Sequence, residues 1–375
     1  AAAIAEIYRR AEQWSDLASH LLARAAVAPL APRARELRVE AAEVLETRLD
    51  AAPRGRGILA WVLAEDRAHG RASARMARIA DGSGDFATLA GVLAARASAA
   101  RGPAKVEALL ALAEVYEESL DDLPEATRSY EAVLALDPAH VSALRGLDRI
   151  WSRLGKYREV VDVIGRQIDA AATPRQKVHL YERLARVHDV ELVDHEAAAA
   201  ALSALLAIDP AHDGALAELA RHNRALGRWE EVCEIHARHA AVATDPARRT
   251  ELLLARAEVL ADNVRSPERA TDAYEEILRL HPGHARALEA LARLRALTGD
   301  ARAAVSALEE LARAAATPEA QAEQWTRAGR LLESQGDRDG AIERYRLALE
   351  ASPRDPAAIA ALRKAYAERG NWGGV

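Results

Sequence analysis

The sequence predicts an all-α solenoid assembled from stacked antiparallel helical hairpins, and three observations carry that prediction. First, landmarks recur on one long period. Asp137-Pro138, Asp209-Pro210, His281-Pro282 and Ser352-Pro353 are spaced by 72, 72 and 71 residues, and Gly84, Gly155, Gly227, Gly299 and Gly370 by 71, 72, 72 and 71. Second, apolar residues inside each period follow helical spacing. The stretches 109–120 (LLALAEVYEESL) and 125–138 (EATRSYEAVLALDP) place them at i, i+3, i+4 and i+7. Third, the 375 residues are 50% hydrophobic but only 4% aromatic, with alanine dominating the apolar count. Such a chain makes many close helix contacts but lacks the Val, Ile, Phe and Tyr density of a wide sheet, which weighs against all-β and α/β folds. A prior of two or three globular domains from length therefore yields to a single continuous array, whose hairpins bury their apolar faces only by stacking.

The array divides into a partial unit at 1–32, full units at 33–103, 104–174, 175–246 and 247–318, and an incomplete unit at 319–375. Each full unit holds four helices. Pro138 and its equivalents stop one helix, since proline removes a backbone donor and clashes with the preceding turn. Two residues on, His69, His140, His212 and His284, with Asp355 in the last unit, stand where the next helix starts and read as side-chain caps. The glycine column marks the turn back, a position favouring positive φ. Two residues later Trp14, Phe86, Tyr157, Trp229, Ala301 and Trp372 form an aromatic column, expected to wedge between hairpins; Ala301 predicts a local packing gap. Thr173-Pro174, Thr244-Asp245-Pro246 and Thr317-Pro318 are the remaining joints.

The segment 322–353, AEQWTRAGRLLESQGDRDGAIERYRLALEASP, is similar to the tetratricopeptide repeat. The family landmarks fall on Trp325, Gly329, Ala341, Tyr345, Ala348 and Pro353, with Leu332 standing where the family has Tyr. Small residues recur in two further columns, Ala42, Ala113, Ala185, Ala257, Gly329 and Gly55, Ala126, Ala198, Ala270, Ala341, where two helices approach closely. The alternate hairpins, such as 139–173, fit the family less well. The resemblance implies a right-handed superhelix of about ten hairpins, first helices lining its concave side and second helices its convex side. Trp372 opens a second helix just before the last residue, and neither end carries a polar capping helix, so the expectation is a segment of a larger bacterial protein.

Functional signals are mostly exclusions. The formal net charge is −6, which gives no basic footprint for nucleic acid. The apolar run Ala197–Ile208 is shorter than the roughly 20 residues that span a bilayer, so no direct membrane insertion is expected. The single Cys233 excludes an internal disulfide framework and leaves the cytoplasm slightly favoured. No nucleophile elbow, phosphate loop or zinc-protease signature occurs, so no catalytic residue, cofactor or metal ligand is assigned. Cys233-x-x-His236-x-x-His239 spreads over about 120° of a helix, too wide for a compact three-ligand site. Cys233 also shares columns with Val161 and Val305, and His236 with Ile164 and Leu308, so both read as core.

Charge on the first helices is the remaining pattern. The alternate hairpins carry Arg78, Arg149, Arg221, Arg293 and Lys364 at one position; the long hairpins carry Glu43, Glu114, Arg186, Glu258 and Arg330. One reading is an ion-pair ladder joining Glu43 to Arg78, Glu114 to Arg149 and Glu258 to Arg293. The other is a basic patch of Arg149, Arg186 and Arg221 that captures an acidic segment or a C-terminal carboxylate. Asn223, Asn263 and Asn371 do not match the carboxylate clamp by which some members of this family hold chaperone C-termini. The expected function is a non-catalytic scaffold binding a protein or peptide on its concave face, an acidic one where the basic patch is the binding surface. The alternatives are the regulatory array of a larger enzyme or signalling protein, and a rigid spacer of an envelope or motility assembly.

Overall fold

A computed structural model describes residues 2–368; Gly370, Asn371 and Trp372 lie outside the described residues. Helices joined by short turns account for nearly all of the described chain, with no strand among the described residues, and the architecture is an all-α solenoid. The chain forms two compact units, Ala1–Leu180 and Tyr181–Val375, whose division falls inside the helix Pro174–Arg186. In the first unit, one core cluster joins Ala113, Ala126, Tyr130, Val133, Leu144 and Ile150. In the second, the largest cluster runs from Val232 through Tyr274 and Leu291 to Ala328.

The helix boundaries follow the repeat landmarks. Helices end at Leu136, Ile208, Leu280 and Ala351, just before the Pro series, and resume at Val141, Asp213, Ala285 and Pro356. The histidine column supplies the caps: Nδ1 of His69, His140, His212 and His284 accepts from the backbone N–H three residues on, at 3.1–3.4 Å. Asp355 does the same for Ala358 at 2.7 Å. An accepting Nδ1 requires the proton on Nε2 of the neutral ring, so these histidines are committed to one tautomer. Gly84, Gly155, Gly227 and Gly299 all take positive φ, between 66° and 84°.

The small columns are where helices touch. Gly55 and all the alanines of both columns are buried, and a Cβ on Gly55 would lie 3.2 Å from the Ala42 carbonyl oxygen. In the aromatic column, Trp14, Phe86 and Trp229 pack against core clusters. Trp14, Phe86, Tyr157 and Trp229 open the second helices but stay half-buried, Trp14 lying under the Arg48 guanidinium. Beside Ala301, where the ring is absent, a cavity of about 510 Å³ opens.

The long hairpins turn in a way their sequence does not announce. Asp50, Asp121, Val193 and Arg265 take φ between 47° and 58° at the position where Gly336 stands in the last unit. In two of these hairpins the first helix widens into a π-turn just before the bend, at Val115–Ser119 and Val187–Glu191. Such turns re-aim side chains and concentrate at functional sites.

Candidate functional site

The π-turns place one carboxylate of each hairpin against the next first helix. In the unit 104–174, Glu117 receives Nε and Nη2 of Arg149, both at 2.8 Å, and the Tyr130 hydroxyl at 2.7 Å. Tyr130 reaches it because Gly146 leaves room; a Cβ there would stand 2.3 Å from the ring. Burial works against the charged Glu117, but the Arg149 and Tyr130 hydrogen bonds outweigh it and hold the carboxyl below the ordinary range. Burial, reinforced by Glu117, pushes the Tyr130 hydroxyl well above the usual phenol range. Glu333 repeats the arrangement, accepting from Tyr345 and Lys364 at 2.8 Å each.

The ion-pair ladder therefore exists, displaced by one to two helical turns from the columns read in the sequence. Arg149 pairs with Glu117 rather than Glu114, and Arg293 with Asp262 rather than Glu258. Glu258 takes Arg286 instead, and Glu43 takes Arg71 and Arg75 instead of Arg78. Aligned columns assume that successive first helices lie level, whereas the pairs form between helices staggered along their axes. The same stagger corrects the premise that Arg149 and Arg221 lack acidic partners. Arg221 binds Asp189 and Glu218, both at 2.6 Å, while the exposed Arg186 makes no salt bridge among the described residues.

The next hairpin pair departs from the pattern. Asp189 occupies the place of Glu117, Leu202 that of Tyr130, Glu218 that of Gly146, His222 that of Ile150 and His195 that of Leu123. With the tyrosine ring gone, a cavity of about 440 Å³ is bordered by Arg186, Asp189, Val190, Leu202, Glu218 and His222. Nδ1 of His195 lies 3.1 Å from Nδ1 of His222, and these nitrogens stand 3.7 and 3.9 Å from Oδ1 of Asp189. Among the described residues, these three form the group of ligand-type side chains whose donor atoms are close enough to share one cation. The His222 side chain is 2% exposed. Burial, then the neighbouring Arg221, push its pKa below the usual imidazole range.

Arg186 thus borders a cavity whose Asp189 is held by Arg221, while Arg149 belongs to the other compact unit. Asp189, His195 and His222 escaped the motif search because the donors come from three separate elements. A column-by-column comparison of the repeats carries the signal: polar residues stand where neighbouring repeats have Leu123 and Ile150. Cys233, His236 and His239 are buried in the helix Trp229–Val242, His239 bonding Asp213 at 2.5 Å. Burial raises the pKa of the Cys233 thiol and depresses that of His236 to about 4.

Three stretches of the chain, 108–141, 215–250 and 324–357, match the tetratricopeptide repeat family model. The second falls on one of the alternate hairpins, which therefore carries a stronger family signal than its sequence landmarks suggest. Similar solved structures include a tetratricopeptide repeat protein from Parabacteroides merdae, at 17% identity and a TM-score of 0.30 over 69% of this chain and 98% of that one. The C-terminal part of a repeat-containing protein from Cytophaga hutchinsonii gives 14% and 0.36 over 68% and 99%. The MamA protein gives 20% and 0.33 over 47% and 92%. No curated protein matches the chain.

Proposed function

As a tetratricopeptide-repeat protein, the chain is, we propose, a scaffold that binds a protein or peptide on the concave, first-helix face of its array. Tetratricopeptide repeats generally mediate protein–protein interaction. The observation that carries the finer reading is Arg186, an exposed guanidinium without a salt bridge among the described residues, bordering a cavity beside Arg221. An acidic side chain or a C-terminal carboxylate fits such a place, because a guanidinium pairs with carboxylate through two parallel hydrogen bonds. Arg149 stands at the position of Arg221 in the preceding unit, already paired with Glu117.

The test is affinity isolation followed by direct titration of each recovered partner against the wild type and an Arg149→Glu, Arg186→Glu, Arg221→Glu variant. Loss of affinity supports the basic face. Unchanged affinity rejects it and leaves the partner to another surface.

A further inference from the structure

We propose that Asp189, His195 and His222 form a binding site for a divalent transition metal of the zinc class, inside the hairpin pair that follows residue 180. The proposal is independent of any protein partner.

The geometry is that of a ligand set. Zinc sits about 2.0–2.2 Å from imidazole nitrogen and carboxylate oxygen. Tetrahedral ligands at that radius lie about 3.3–3.6 Å from one another. The three donor atoms here are separated by 3.1, 3.7 and 3.9 Å, so small rotations bring them to one centre. Two imidazoles and one carboxylate suit zinc and its neighbours rather than calcium or magnesium, which favour oxygen-only sets. The cavity leaves further coordination positions for water or an incoming ligand.

The surroundings do what an outer shell does. Arg221 holds Oδ2 of Asp189 at 2.6 Å and leaves Oδ1 facing the two rings. A metal on Nδ1 of His222 puts that ring's proton on Nε2, which now contacts Arg221 at 3.0 Å. Arg221 must then give up that contact and keep Asp189 and Glu218, while Glu218, 4.0 Å from Nε2, becomes the acceptor. Glu182, Asp189 and Glu218 border the cavity against the single lining guanidinium of Arg186, with Arg221 behind Asp189, so the local charge admits a cation.

The internal repeat is the second, independent argument. In the preceding unit, Leu123 stands at the position of His195, Ile150 at that of His222 and Tyr130 at that of Leu202. Packing alone accounts for Leu, Ile and Tyr at these points. It does not account for two histidines whose Nδ1 atoms meet at 3.1 Å beside a carboxylate, since burying an imidazole costs free energy that Leu or Ile at these points does not.

The experiment titrates cobalt(II), and separately zinc, into the metal-stripped full chain, following cobalt by visible absorption and zinc by calorimetry. One equivalent per chain with the intense visible bands of a low-coordinate cobalt site is expected. His195→Leu and His222→Ile place the preceding unit's residues at these positions, and circular dichroism reports whether each variant keeps its helices. Each is expected to weaken binding roughly tenfold or more, as is Asp189→Asn. The Leu202→Tyr, Glu218→Gly double variant, which fills the cavity as Tyr130 does over Gly146 and leaves all three ligands in place, is expected to do the same. No stoichiometric binding by the wild type overturns the proposal, as does unchanged binding in the His195→Leu, His222→Ile double variant.

Discussion

The units 104–174 and 175–246 place different residues on the same backbone positions. In the first, Glu117, Tyr130 and Arg149 close a hydrogen-bonded triad over Gly146, and Ile150 fills the space behind it. In the second, Asp189 and Arg221 keep the ion pair while Leu202, Glu218 and His222 exchange the packed ring for a polar cavity. A solenoid tolerates such an exchange because each hairpin answers mainly to its neighbours, so one unit gives up packing without unfolding the array.

The largest expected effect is at the packed unit. Tyr130→Ala removes a ring that is 1% exposed and takes one hydrogen bond from the Glu117 carboxylate, costing about 3–5 kcal/mol. Leu202→Ala, beside space that is already open, should cost only about 2 kcal/mol. Chemical denaturation of the two variants measures the difference, and equal losses would break the contrast.

Gly146→Ala comes next. Its methyl collides with the Tyr130 ring, and the overpacking costs about 1–3 kcal/mol, partly offset by alanine's better helix propensity. Glu218→Ala at the equivalent position should be nearly neutral. A melting temperature unmoved by Gly146→Ala would mean that the ring has room to shift.

A pH prediction concerns His236, whose burial depresses its pKa from 6.5 to about 4. The unfolded chain takes up a proton at this site before the folded one does. The stabilisation is complete above pH 6.5, falls as pH drops through that value, and is exhausted below about 4. His236→Ile, which places the residue found at Ile164, should remove this part of the acid-side decline. Thermal unfolding across that range checks it, and identical slopes for the two proteins would contradict it.

The smallest effects are at the surface. Arg149→Ala loses a half-exposed pair and should cost about 1 kcal/mol, whereas Arg186→Ala should stay within about 0.5 kcal/mol. Equal destabilisation by the two would place a partner on Arg186.

The period and its punctuation were legible in the sequence because proline, glycine and the capping histidines act locally. Each constrains the backbone within a few residues of itself, so a column of them marks helix ends directly. The small-residue columns were legible for a related reason, since only Gly or Ala admits a helix backbone at contact distance. The ion pairs were not, because the axial stagger between successive hairpins is a tertiary quantity absent from aligned columns. The turn at Asp50, Asp121, Val193 and Arg265 was hidden for another reason: four side chains accept a left-handed backbone that only Gly336 advertises. Asp189, His195 and His222 were present as exceptions to the repeat, visible only when each column is compared with the other units.

The central claim is that the unit 175–246 has given up packing to hold a polar cavity. Its most direct test is the combined variant Asp189→Glu, His195→Leu, Leu202→Tyr, Glu218→Gly, His222→Ile, which places the preceding unit's residues at all five positions. Its unfolding free energy is measured against the wild type by denaturation, both without metal. A gain of about 1 kcal/mol or more is expected, as the ring fills the cavity and the buried imidazole is removed. A variant less stable than the wild type would contradict it.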